Sequence, residues 1–220
     1  MAGARARSPD AKRVRRHFIL TTAEQILRDK GFDAFTMNSL ANTAGLAKGT
    51  LYLYFRSREE LVLTLYVKLN DDWVDRFLLA EKANLPPDYA ALCASFYHSF
   101  AADALLVDLA ARAASGLEPY VSTQAKVMAT RAYARAARRI SGLFFQNFDC
   151  DPAQAQRLTW AFLAALSGAQ QRAFEMQDNR VLPDDLRKLG QIMSCKDVFL
   201  NVVLPLAPRH CEDPFGNMKL

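Results

Sequence analysis

Between residues 36 and 58 the chain sets out short polar, cationic and phenolic side chains: Thr36, Asn38, Lys48, Gly49, Thr50, Tyr52, Tyr54 and Arg58. Hydroxyls, an amide and scattered cations around a glycine suit phosphate oxygens and base edges, which need hydrogen-bond donors and close backbone approach. They do not suit bond-breaking chemistry. The three histidines, His17, His98 and His210, lie far apart, and no Gly-x-Ser-x-Gly elbow or His-Glu-x-x-His pair organises a nucleophile or a metal. The fragment 45–50 resembles the start of a phosphate loop, but no lysine follows its second glycine and no strand precedes it. Cys93, Cys150, Cys195 and Cys211 are scattered without a Cys-x-x-Cys, and read as reduced, mostly buried thiols. Neither a catalytic site nor a metal or cofactor is expected.

The elements that must position these residues read as helical almost throughout, so the expected fold is all-α. Phe18, Ile19, Ala23, Ile26 and Leu27 form an amphipathic stripe that predicts a helix over 14–30, closed by Gly31. Thr36 stands at the N-cap of a short second helix that ends at Gly45, where a left-handed backbone makes the turn at no steric cost. A third helix is predicted over 47–55, with Leu51 and Phe55 inward. Ser57 and Glu60 form a capping box that opens a long fourth helix, with Leu61, Leu65, Leu69, Trp73 and Phe77 on one face, running to about residue 83. Beyond the Pro86-Pro87 break, helices are expected over 88–102, 104–115, 118–148, 152–178 and 183–204.

The net charge of +5 is unevenly placed: residues 1–61 hold eleven Lys and Arg against six Asp and Glu, and the remainder is balanced. A neutral body with a basic head points to a polyanionic partner. A disordered basic tail accounts for Arg5 to Arg16 but not for Lys48, Arg56 and Arg58, which sit within patterned segments. No stretch approaches the ~20 apolar residues that span a bilayer, and no secretory signal is visible, so a cytoplasmic protein without membrane contact is expected. The organisation reads as a basic arm at 1–12, a helix-turn-helix domain at 13–60 and a helical body at 61–220.

Residues 36–55 have the build of a helix-turn-helix. Taken with Gly31-Phe32, Leu40-Ala41, Ala44-Gly45-Leu46, Lys48-Gly49-Thr50-Leu51-Tyr52, Tyr54-Phe55 and Ser57-Arg58-Glu59-Glu60-Leu61, this segment resembles the DNA-binding head of TetR-type repressors over about residues 14–65. The resemblance implies an Ω-shaped helical homodimer, with its heads in successive major grooves of a palindromic double-stranded operator and a small-molecule effector releasing the DNA. Thr36, Tyr52 and Arg58 would bond phosphates, and Gly49 would let the backbone approach. Asn38, Lys48 and Thr50 would lie at or near the bases. Tyr54 replaces a frequent histidine and Ala47 a frequent serine, which puts those two contacts in doubt. The plain alternative is that Tyr52 and Tyr54 pack on the first helix, and that the head binds another protein while the basic arm contacts a membrane or RNA.

The body is less explicit. Phe96, Tyr97, His98, Phe100, Tyr133, Phe144, Trp160 and Phe174 offer aromatic surface. Phe96, Tyr97, Phe100, Tyr133, Trp160 and Phe174 are the candidates for an apolar or aromatic effector, although aromatics at helical spacing are commonly core. Ala161, Ala164, Ala165 and Gly168 form a strip of small residues on the helix 152–178. Such a strip lets two helices approach closely, and the resemblance places the dimer interface there.

Overall fold

The computed structural model describes residues 8–84, 86, 88–114, 121–178 and 194–208, the side chains of residues 114 and 172–178 excepted. These residues form α1 (Pro9–Lys30), α2 (Met37–Ala44), α3 (Lys48–Tyr52), α4 (Arg58–Ala83), α5 (Tyr89–Ala101), α6 (Ala104–Ala114), α7 (Thr123–Asn147), α8 (Pro152–Asp178) and α9 (Cys195–Val203). No strand occurs among them.

Local chemistry sets most of the helix ends. The expected arm at 1–12 is corrected at its C-terminal part: α1 begins at Pro9, because the Ser8 side chain accepts from the Ala11 N–H and proline suits a first helical position. Thr36 and Ser39 form a reciprocal capping box on α2, and Gly45 closes it in the left-handed region at φ 63°. Helix α3 is shorter than the expected 47–55. Tight turns follow Tyr52, with the Leu53 N–H donating to the Thr50 carbonyl and that of Tyr54 to Leu51, and they swing Phe55 into the core. Helix α7 begins at Thr123 under a Ser122 cap, inside the expected 118–148. The continuous helix expected over 183–204 is also corrected. Ser194 has extended backbone and caps α9 with Asp197, so a new helix starts there, and residues 183–193 lie outside the described part.

In α4 the Leu61, Leu65, Leu69, Trp73 and Phe77 face is buried as expected. At 1.5 Å per residue its 26 residues run about 39 Å, long enough to belong to both ends of the molecule. The 60/61 division therefore falls in its first turn, and most of the buried residues form one cluster reaching from Ile19 to Val203. Helices α8 and α9 pack together, α8 also meets α6 and α7, and α4 lies against α6 and α7. An aromatic centre locks these layers: Phe96 meets Trp73 edge-on at 5.2 Å, Phe77 at 5.3 Å and Phe162 at 5.2 Å, and stacks on Phe199 at 5.9 Å. Cys93 and Cys150 are buried, and burial pushes the Cys93 thiol up to about 12, which keeps it an unreactive packing group. No single helix among the described residues is long and apolar enough to cross a membrane; α5 and α6 together have the length and composition, but meet at 90°.

Candidate nucleic-acid interface and effector cavity

The head is built so that its apolar face fixes α3 and its polar face stays free. Leu51 and Phe55 are fully buried against Leu40, Ala41 and the inner side of α1. Opposite them Lys48 and Gly49 are exposed, Thr50 is half-buried, and Tyr52 is 43% exposed. A Cβ at Gly49 would meet nothing, so this backbone lies bare at the surface. Thr36 and Asn38 present a second exposed pair at the start of α2. Thr36 also caps its helix, its hydroxyl accepting from the Ser39 N–H at 3.0 Å. The left-handed turn at Gly45 sets the two short helices at the angle that brings both groups to one end of the molecule.

Two expected contacts are placed differently. Tyr54 is half-buried and packs on the core, consistent with the plain alternative weighed for it. Arg58 is corrected more firmly: its guanidinium lies 4.2 Å from the Phe32 ring centroid and donates to the Phe32 carbonyl at 3.0 Å, so it ties α4 to the α1–α2 connection. The planar fork of arginine, which stacks on a ring while donating in its plane, explains why it turns inward where a lysine would extend. Sequence reasoning missed the residues at the foot of α3, Leu53 at 73% exposed and the exposed Arg56. Arg16 also braces the head, over the Phe55 ring at 4.8 Å; burial pulls its pKa below the usual arginine value, against the pull of Glu60.

A cavity of about 680 Å³ opens in the body between α4, α6, α7 and α8. Of the aromatic candidates, Phe100, Tyr133 and Trp160 line it, joined by Tyr66, Asn70, Trp73 and Gln170. Phe96 and Tyr97 do not. Phe96 is enclosed by other rings, and the partly buried Tyr97 packs on Phe199 at 5.6 Å, away from this cavity. The Phe174 side chain lies outside the described residues. Tyr66 and Tyr133 sit with ring centroids 5.8 Å apart, and burial pushes both phenols above their ordinary range. On α8 the small-residue strip divides. Ala164 and Gly168 are exposed and Ala161 is half-buried, whereas Ala165 is 9% exposed and belongs to the core, a correction that follows from the 100° step per residue that turns it inward.

Head and cavity are joined through α6. Arg28 of α1 donates to both carboxylate oxygens of Asp103, at 2.9 and 3.1 Å, and that carboxylate in turn caps the Leu105 and Leu106 amides at the start of α6. Farther along α6, Ala110 and Ala113 line the cavity, and the Arg112 guanidinium lies 3.8 Å from the Phe32 ring centroid.

Fold and surface geometry together define an all-helical chain with a helix-turn-helix head. The profile of bacterial regulatory proteins of the tetR family matches residues 19–65, the helix-turn-helix head of this chain. The chain is 25% identical over 87 residues to the fatty acid metabolism regulator protein of Bacillus subtilis, covering 39% of this chain and 45% of that protein. It is 29% identical over 140 residues to the transcriptional regulator AlkX of Mycobacterium tuberculosis, covering 62% of this chain and 66% of that one. The matches thus span about half to two thirds of those relatives. The fold is similar to that of the Thermus thermophilus repressor FadR in complex with lauroyl-CoA, at a TM-score of 0.53 and 16% identity, covering 90% of this chain and 98% of that one.

Proposed function

We propose that this protein is a homodimeric repressor that binds a two-fold symmetric operator through Thr36, Asn38, Lys48, Gly49, Thr50 and Tyr52, and lets go when a small effector enters the cavity. The observation that carries the reading is the outward row on α3, held by buried Leu51 and Phe55 at the end of a basic head that matches the tetR family. Thr36 and Tyr52 position the head on phosphates, and Asn38, Lys48 and Thr50 read bases. A protein of this kind works beside the chromosome, in the cytoplasm. Dimerisation through the exposed face of α8, with Ala161, Ala164 and Gly168, sets the two recognition helices about 34 to 36 Å apart or a multiple of that distance.

The effector acts because the cavity walls include α4 and α6, the two helices that hold the head. A ligand favours release only to the extent that it binds the released arrangement more tightly. The relatives and neighbours concerned with fatty acids and acyl-CoA support an effector with a long apolar part. The test is binding of the full-length protein to symmetric duplexes recovered by genomic affinity selection, against scrambled duplex and single-stranded RNA, from 50 to 200 mM salt. A steep log-log fall with salt and a preference for the symmetric duplex are expected. Indifference to duplex form, or a footprint over one half-site by a monomer, would overturn the reading.

A further inference from the structure

The described lining of the cavity contains no Asp, Glu, Lys, Arg or His, although the surrounding protein is rich in charge. Its polar groups are dipoles. Four polar or charged residues of the described chain are buried: Asn70, Glu81, Thr159 and Gln170. Glu81 accepts from the Ser95 hydroxyl, and Thr159 donates to the Ala155 carbonyl at 2.9 Å. Asn70 and Gln170, 7% and 4% exposed, have no hydrogen-bond partner among the described residues, and both line this cavity. Native interiors rarely leave a carboxamide unserved, because its lost hydration is not returned. The carboxamides of Asn70 on α4 and Gln170 on α8 thus line one cavity, where a ligand can meet their donors and acceptors.

We propose that the effector is an electrically neutral, mainly apolar molecule whose uncharged carbonyl or amide group is bonded by Asn70 of α4 and Gln170 of α8. This rests on the cavity being the effector site, and it narrows the class of molecule. A carboxylate, phosphate or ammonium brought inside would be desolvated with no counter-charge among the described lining, whereas a neutral carbonyl or amide exchanges hydrogen bonds with water for hydrogen bonds with the carboxamides. A ligand so held spans α4, which carries the head, and α8, which carries the proposed dimer face. It therefore favours one relative placement of the two helices.

The chain has two tryptophans, Trp73 and Trp160, and both line the cavity, so intrinsic fluorescence reports on it directly. The full-length protein is titrated at pH 7.5 with decanamide, decanoate and decylammonium, equal in chain and different in charge, below their micelle concentrations. Decanamide binds at least tenfold more tightly than either ion, and Asn70→Leu reduces that preference to threefold or less. Gln170→Leu makes the same test from the other helix if Asn70→Leu does not fold. Equal or tighter binding of decanoate or decylammonium, or a preference that survives both substitutions, overturns the proposal. If decanamide binds with the expected preference but leaves operator affinity unchanged, the neutral-ligand inference stands and the effector reading falls. No fluorescence response to any of the three overturns both.

Discussion

The head and the cavity solve opposite recognition problems. At the head, the candidate DNA-contacting groups are exposed and cationic or hydroxylic, held from behind by Leu51 and Phe55; in the body, the described groups lining the cavity are uncharged and mostly apolar. Charge attracts a charged partner at long range through solvent, but inside a low-dielectric cavity an unpaired charge is a penalty, and dipoles discriminate better. The two regions nevertheless share one core, and α4 and α6 reach both. Under the proposed function, the signal would pass between them through packed helices.

The strongest way to break this comparison is to show that the regions are separate. Phe96→Ala removes a ring wedged among Trp73, Phe77, Phe162 and Phe199, and should destabilise the protein by about 3 to 5 kcal/mol. Because the core is continuous, urea unfolding should lower the head and the body in a single transition, followed by far-UV dichroism and tryptophan fluorescence together. Two transitions would split the molecule at α4.

A nearly comparable effect on DNA binding is expected from Gly168→Leu. Among the described residues, a Cβ at this position meets nothing within 4 Å, so the fold should accept a side chain there while a partner packed on this face should not. The variant should sediment as a helical monomer, with operator affinity weakened on the order of a hundredfold by loss of the paired heads' effective concentration. A stable dimer with unchanged affinity would move the interface off this face of α8.

Within the head, Lys48→Ala should change base preference by about 1 to 3 kcal/mol, whereas Tyr52→Phe should weaken all duplexes by a similar factor. Equal losses for Lys48→Ala on operator and random DNA, measured by anisotropy, would reduce it to a phosphate contact.

The smallest effect tests the link between the regions. Burial pushes the Asp103 carboxyl up, but Arg28 and the Leu106 and Leu105 amides together hold it below the ordinary value of 3.8. A depressed folded pKa contributes stability above the unfolded value, and that contribution is lost as pH falls through the folded one. Asp103→Asn should thus lower stability by about 1 kcal/mol at pH 7, from a partly screened pair, with the difference from the parent protein fading below about pH 4. The same substitution should leave effector binding intact while loosening its hold on operator affinity. Unaltered coupling would mean that α4 alone transmits the signal.

Turn and cap chemistry is local, and it was legible in the residue order. Gly31 and Gly45 at positive φ, Thr36 and Ser57 as caps, and the buried face of α4 all follow from single side chains or a 3.6-residue period acting on their own segment. So were Lys48, Gly49 and Tyr52 on the outward side of α3, because the inward pair Leu51 and Phe55 leaves them no other direction. Three-dimensional packing decided the rest. Whether Phe96 or Phe100 faces the cavity depends on the rings that α8 and α9 bring from sixty to a hundred residues away, and whether Arg58 reaches outward depends on Phe32 lying under its guanidinium. Asn70 and Gln170 left a faint mark, a lone amide in each of two otherwise apolar helix faces. Residue order cannot say whether such an amide is bonded, since that is settled by which groups distant helices place opposite it. The residue order determined an all-helical chain with a basic helix-turn-helix head; three-dimensional packing decided where the empty space lies and that its described walls carry dipoles and no charge, because a cavity is made by the failure of distant side chains to meet.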